Sequence, residues 1–581
     1  MASYRKLDAP RTTKIRSSLV CFSSLILLCV AVRLCDAGAA FAQNSDNPEP
    51  SRIERLFQQE QWQDIAKLPP PAGASPDLYF YYGTALARLE RWEEARAAFE
   101  SGLHANPDDP RFPTELAGVA FSQKNFPDAE TWLRRALRLA PDDSYANDFL
   151  ATIYFMQGNL EAALKYWNRA GKPMLESVSS DPTPHTKPVL LDRAFAFSPT
   201  STLRLRDLLT TEVRIKQLGV FPNSHFELQA REDRKFDLVF HNLERNGCGS
   251  NKWECLLFVF GGTPAQTVNF DYFNIRREAI NFHSLFRWDA EKRRILAELE
   301  TPVAGMPKWR LRIGPDLRNE NWGIRNSFSG PAPSLAALNL KREAAHLDFT
   351  DAVSGTWRWS EATELSHRSY DNVLPGNLLT PQLLTGGAQL KQRLGANVTL
   401  LHFPERRLIV ESGGVVEVAR LWSGTGRDLA KFLGTVRLHW FPQHTGDKYE
   451  LEHTIRVGRT VGNPPFDELF MFGVLGDSAL PMRAHIATRD GKKGSAPLGR
   501  NYFLSNWEAT RNFSPLTLLK VRVGPFVDTG KITDRDAALG SHQWLCDTGI
   551  QAKLQVFGFG VTLSYGRDLR SGRNAVVAST P

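Results

Sequence analysis

The chain has 581 residues and a mass of 65.2 kDa, too long for one domain and, as a soft prior, enough for about three or four. Hydrophobic residues at 42% and charged residues at 23% exclude disorder over most of its length. The net charge of +8 sits partly in a basic N-terminal segment and is elsewhere too diffuse to indicate nucleic acid. A mean hydropathy of −0.32, with no later apolar run of helix-spanning length, excludes a bundle of membrane helices but not a membrane β-barrel, whose water-facing residues dilute its hydropathy.

Arg5, Lys6, Arg11, Lys14 and Arg16 precede an apolar stretch from Leu19 to Val32, and small residues then lead to Ala40-Phe41-Ala42. This charged, greasy, A-x-A order makes residues 1–42 a signal peptide for export. Three of the six cysteines leave with it, and Cys546, Cys248 and Cys255 remain. In an oxidising compartment Cys248 and Cys255, close together in a Gly-Ser-Asn loop, can form a small disulfide. Zinc is not expected there, since neither a CxxC nor clustered His accompanies them.

Across residues 50–175 a small, large, small pattern recurs: Ala95, Phe99 and Gly102, then Ala129, Leu133 and Ala136, then Ala163, Trp167 and Ala170. Pro107, Pro141 and Pro173 follow the three units. The period is that of tetratricopeptide helix pairs, in which small residues let helices approach, a large one fills the gap and proline ends the second helix. Gly83 with Leu86, and Ala117 with Ala120, take the close-contact positions of the first helices, and an incomplete unit around Trp62 caps the array. The stack offers a surface for a protein partner or serves as a spacer.

Pro182 to Pro188 reads as a linker. A small α+β module at 185–246 follows: a strand at Leu191–Phe197, a helix carrying Leu203 to Ile215 that stops at Leu218-Gly219, and two short strands at Phe226–Leu228 and Phe236–Phe240. The order resembles a polypeptide-transport-associated (POTRA) domain, and the resemblance implies an edge strand that receives extended clients by β-augmentation.

Two-residue alternation occupies 250–581. Trp309/Leu311/Ile313 alternate with Arg310/Arg312, Val436/Leu438/Trp440 with Arg437/His439, and Val561/Leu563/Tyr565 with Thr562/Ser564. Val268/Tyr272 and Tyr449/Leu451 open further such runs. Aromatics at strand ends and about ten residues per tilted strand predict a transmembrane antiparallel β-barrel of about 16 strands. Closure satisfies every backbone polar group in lipid.

Met482-Arg483-Ala484-His485 with Arg489-Asp490-Gly491, then Pro525-Phe526-Val527-Asp528-Thr529-Gly530, and finally Tyr565-Gly566-Arg567-Asp568-Leu569-Arg570 resemble signatures of the BamA/TamA superfamily of outer-membrane assembly barrels. The first is similar to the family's inward-folded loop motif, with Ala484 and His485 in place of the usual Gly-aromatic pair. The second is similar to its Phe-x-Asp-x-Gly strand, carrying Phe526 and Gly530. Burying a loop guanidinium requires a carboxylate partner, and a planar fork suits one bidentately, so Arg483 and Asp528 are expected to lock the loop to the barrel wall.

Enzyme motifs are absent: there is no G-x-S-x-G elbow, H-E-x-x-H helix, P-loop or Rossmann glycine pattern, and Gly491-Lys492-Lys493-Gly494-Ser495 reads as a solvated loop. No catalytic residue, cofactor or metal is expected. The resemblance implies an outer-membrane protein of a Gram-negative-type bacterium, with its N-terminal domains in the periplasm, that inserts or translocates polypeptides. The expected partners are outer-membrane lipid and client polypeptides or periplasmic proteins, with no nucleic acid. A polysaccharide-export porin with a tetratricopeptide array is the rival, and it requires an open, charge-lined lumen.

Overall fold

The computed structural model describes residues 52–579, apart from 72, 234, 329–333, 375–377, 424–426, 444–445, 474–479, 514–518, 537–538, 542 and 557–558; the expected signal peptide lies outside the described residues. Residues up to Gln123 and residues from Lys124 onward form two compact units. No described helix is long and apolar enough to cross a membrane, which says nothing of strands.

The first unit is helical: α1 (Arg52–Gln58), α2 (Trp62–Ile65), α3 (Pro76–Arg88), α4 (Trp92–Ala105) and α5 (Arg111–Ser122). Its small residues mark real close approaches. A Cβ on Gly83 would lie 2.6 Å from the Phe99 ring, and one on Gly102 would lie 2.1 Å from the Phe112 ring. Both distances are shorter than van der Waals contact, so glycine lets these helices pack tightly around buried phenylalanines.

The second unit begins with α6 (Phe126–Leu139), α7 (Ser144–Met156) and α8 (Leu160–Trp167). Asn125 and Asn159 occupy matching places before α6 and α8, where their side chains accept from Asp128 N and Ala162 N. Asp143 likewise caps α7. These caps satisfy amides that a helix start leaves unpaired.

A three-stranded sheet follows, with β1 (Leu175–Asp181) parallel to β3 (Phe236–Leu243) and β2 (Asn223–Ala230) antiparallel to β3, in the order β1-β3-β2. Helices α9 (Pro188–Ala194) and α10 (Leu205–Leu218) pack on it through Leu190, Leu191, Ala194, Ile215, Leu218 and Phe240. This corrects the strand expected at Leu191–Phe197. Pro188 fits the first helical turn, and Leu190, Leu191 and Ala194 have the spacing of one buried helix face. The missing strand is instead β1, before the proline-rich segment, where serines conceal an alternating burial pattern.

A short helix α11 (Lys252–Phe260) leads into a large antiparallel sheet: β4 (Thr267–Asn269), β5 (Tyr272–Ile275), β6 (Ile280–Trp288), β7 (Lys292–Pro302), β8 (Trp309–Arg325), β9 (Ala336–Ser354), β10 (Trp357–Asp371), β11 (Gly387–Phe403), β12 (Leu408–Trp422), β13 (Arg427–Trp440) and β14 (Tyr449–Gly462). A long connection carries the short pieces β15 (Phe470–Met471), β16 (Thr488–Arg489), β17 (Lys492–Ser495) and β18 (Leu498–Gly499). The meander then resumes with β19 (Asn501–Asn512), β20 (Leu519–Thr533), β21 (Leu545–Val556), β22 (Phe559–Asp568) and β23 (Asn574–Ser579). β14 pairs directly with β19, so the connection leaves the sheet and returns to the neighbouring position. β23 and β4 are neighbours in strand order, but no run of paired residues joins them among the described residues. The expectation of a closed barrel is therefore met as far as a large, curled antiparallel sheet.

One face of this sheet is charged. It carries Arg294 against Asp316, Arg393 against Glu417, and His439 with Arg522 against Glu450. The other face leaves Ile295, Leu317, Leu347, Leu394, Val418, Phe432 and Val457 at 43–59% exposure. The alternation read from the sequence is thus a division between two faces.

The last helix pair and the small sheet are fastened to turns along one end of the strands. Lys165 Nζ lies 2.8 Å from Glu405, Asn159 donates to Pro404 O at 2.9 Å, and His402 Nε2 lies 2.8 Å from Glu161. Burial alone would raise the Glu405 carboxyl, but the hydrogen bond and charge of Lys165 outweigh it and hold the group below the usual carboxylate range. Gly355 N donates to Thr210 Oγ1 at 3.0 Å and fastens α10 to the β9–β10 turn.

Candidate functional site

The connection between Gly462 and Asn501 lies on the charged face and touches strands far apart in the sheet. Near its start, Glu468 is 2% exposed and is reached by Lys391 at 2.8 Å, Arg368 at 3.2 Å, Arg342 at 3.6 Å and Lys431. Asp467 beside it receives Arg368 at 2.9 Å and the Tyr370 hydroxyl at 3.2 Å. Phe466 is buried against Trp322 and Tyr370, with ring centroids at 5.0 and 5.6 Å. A cluster of cations on β9, β10, β11 and β13 therefore grips two adjacent carboxylates of the loop.

Near the loop's end, β17 pairs parallel with β8, placing Lys493 beside Trp322 and Ser495 beside Arg325. Lys493 Nζ lies 3.3 Å from Glu320, which Lys292 also reaches at 3.1 Å. This corrects the reading of Gly491–Ser495 as solvated: Lys493 and Ser495 are buried, because the lysine finds a buried carboxylate and an aromatic face at 5.1 Å.

Between these anchors sits Arg483. Its Nε donates to Asp528 Oδ2 at 2.9 Å, a terminal nitrogen donates to Asp528 Oδ1 at 2.5 Å, and its backbone N–H donates to the same carboxylate at 3.0 Å. The other terminal nitrogen donates to Glu508 at 2.6 Å and Gln551 at 2.8 Å. The guanidinium lies 3.9 Å from the centroid of the Phe526 ring, so the phenylalanine of the strand motif forms the floor beneath it. Gly530 leaves room for Phe472 and Met482, which a Cβ would meet at 2.8 and 3.2 Å. The structure thus brings together Arg483, Asp528, Phe526 and Gly530. Cys248 and Cys255 lie elsewhere and are joined, tying the preceding loop to α11.

Strand register explains why this loop segment belongs here. Asn506, Asp528, Asp547 and Asp568 are directly opposite one another along β19, β20, β21 and β22. A row containing three carboxylates on one face is repulsive without counter-charge. The loop runs across that row. Arg483 meets Asp528, Ala484 N donates to Asp547 at 2.8 Å, and the His485 ring nitrogens lie 2.9 Å from Asp547 and 3.5 Å from Asp568. The His485 ring also packs 4.4 Å from Phe328, so an imidazole fills the place expected for an aromatic ring. Gly566 keeps its strand clear of the loop: a Cβ there would lie 3.0 Å from the Arg483 carbonyl carbon.

His485, Asp547 and Asp568 could together hold a metal ion, as could His439, Glu450 and Glu452. In both places the carboxylates already face protein cations or hydrogen-bond donors. The sequence pointed to Arg483 and Asp528 through their motifs. It gave no role to Glu468, Glu508, Asp547 or Gln551, because only the register and the path of the loop reveal them.

A tetratricopeptide repeat family model matches residues 82–144. No curated protein sequence matches the chain. Among solved structures, the chain is similar to BamA from Haemophilus ducreyi lacking POTRA domains 1–3, at 12% identity over 71% of this chain and 85% of that one, with a TM-score of 0.39. It is also similar to CdiB from Escherichia coli, at 12% identity over 70% and 75% of the two chains and a TM-score of 0.46. CdiB from Acinetobacter baumannii is similar at 11% identity over 77% and 80%, with a TM-score of 0.42. The structures similar to this chain thus include BamA and CdiB, and its helical region contains a tetratricopeptide repeat.

Proposed function

We propose that the large sheet is a barrel of about 16 strands in the outer membrane of a Gram-negative-type bacterium, and that the protein inserts or translocates polypeptides there as a BamA/TamA-type protein. The apolar face meets hydrocarbon, the charged face encloses water and the loop, and the tetratricopeptide and POTRA-like modules stand in the periplasm. The observation that carries this reading is the loop anchored by Arg483 on Asp528. A pore for polysaccharide needs the space along the charged face that the loop takes, whereas a protein that threads strands at its wall does not. The β1-β3-β2 sheet supports the same reading, because β2 lies at an edge with unpaired backbone groups available to an extended client. The work needs no nucleotide or cofactor: the client exchanges hydrogen bonds between the edge strand, the barrel seam and its own final structure.

The test is depletion in the native host combined with a photo-crosslinker at Glu227, an exposed residue of β2. Depletion is expected to lower at least one other outer-membrane or secreted protein, and Glu227 is expected to cross-link to that protein. Unchanged levels of all of them, with no polypeptide captured, would contradict the reading.

A further inference from the structure

We infer that a cavity of about 570 Å³, between the repeat helix α6 and the apolar face of the sheet, is a binding site for one anionic phospholipid. The inference rests on the proposed reading that this face meets hydrocarbon. The cavity wall is apolar: Leu408, Trp440 and Leu451 form one row across β12, β13 and β14, with Leu438 and Trp507 completing it. That wall continues into the exposed Val416, Val418, Phe432 and Val436 of the same strands, so acyl chains entering it remain in an apolar band.

The rim is cationic. Arg406 is exposed at the tip of the β11–β12 turn, and its side chain has no partner among the described residues. Arg134 reaches the cavity from α6, held by Glu130 at 3.0 Å and by the Tyr154 hydroxyl, with about a third of its side chain still exposed. The acid lining the cavity, Glu405, is already paired with Lys165, so it does not cancel the two guanidinium groups. Two planar forks above an apolar wall suit a phosphodiester carrying acyl chains. The Trp440 indole N–H donates to Arg406 O at 3.1 Å and holds an amphipathic ring at the depth where a headgroup meets the chains. A soluble peptide would have little use for a wall that runs on into the exposed apolar face. A bound lipid would fasten the last repeats to the membrane surface beside the contacts of Lys165 and Asn159.

The test reconstitutes the full chain in nanodiscs of mixed phosphatidylcholine and phosphatidylglycerol and counts retained lipids by native mass spectrometry. The wild type is expected to keep one phosphatidylglycerol in preference to phosphatidylcholine. Arg406→Glu is expected to reduce that preference about tenfold, which is the loss of roughly one good charged contact. Arg134→Gln should reduce it in the same direction, whereas Arg420→Glu, on the same strand system but outside this cavity, should not. Arg406 makes no side-chain contact whose loss would unfold the protein, so its variant keeps the test readable. No preference in the wild type, or equal retention by Arg406→Glu and wild type, would overturn the site while leaving the barrel intact. Failure of the wild type to enter nanodiscs at all would overturn both.

Discussion

Replacing Arg483 by alanine is expected to cost about 3–5 kcal/mol of stability, because it leaves the fully buried Asp528 with a charge paired with no cation among the described residues and satisfied only by Asn506 and the backbone N–H of residue 483. The measurement is the temperature at which the detergent-purified protein loses its compact, heat-modifiable gel band. Arg483→Lys should recover part of the loss, since an ammonium supplies charge without the fork that spans both carboxylate oxygens. The double variant Arg483→Ala with Asp528→Ala should be less damaged than the sum of the single changes, because removing both partners leaves no orphaned charge. Additive losses would mean that the two residues do not act as a pair.

Glu468→Gln should be comparably severe, by about 3–5 kcal/mol, through the opposite charge. Lys391, Lys431, Arg368 and Arg342 converge on this carboxylate, and its neutralisation leaves several half-buried or buried cations facing one another with Asp467 and Glu364 as the nearby acids. The start of the loop should then leave the charged face while Arg483 still holds its later part. Limited proteolysis near Phe466 and single-channel conductance read this directly: faster cleavage and a larger conductance are expected. Asp467→Asn should do less, because Asp467 meets Arg368 and Tyr370 closely and Arg342 only at 3.8 Å, whereas four cations converge on Glu468. Wild-type cleavage and conductance in the Glu468 variant would show that this cluster does not hold the loop.

The helical pairs could be read from the sequence because their packing demands the same residue sizes at the same period, as Gly102 against Phe112 illustrates. The sheet could be read because each strand has one apolar and one charged face, and Phe432 beside Lys431 divides in space as it does in sequence. Four features escaped, the first three for separate reasons. The strand Leu175–Asp181 is hidden because serine-rich edge strands bury few large side chains. Leu191–Phe197 was misread because a short apolar run does not distinguish a strand from a buried helix face. Lys493 was misread because a lysine in a glycine-rich loop normally faces water, and nothing local announces Glu320 on a strand far earlier in the chain. The row from Asn506 to Asp568 was hidden for a related reason: pairing register decides which residues of four strands lie side by side.

The most direct test of the account is a cysteine scan along β13 in a Cys546→Ser background, reading the two faces with a lipid-soluble quencher and a water-soluble thiol reagent in the membrane-reconstituted protein. Cysteines at Phe432, Val436 and Leu438 are expected to be quenched from the lipid phase. Those at Lys431, Arg437 and His439 are expected to be reached from water or shielded by the loop. A scan in which both sets react equally from water, with no two-residue alternation in quenching, would contradict the claim that one face of this sheet lies in hydrocarbon and the other encloses the anchored loop.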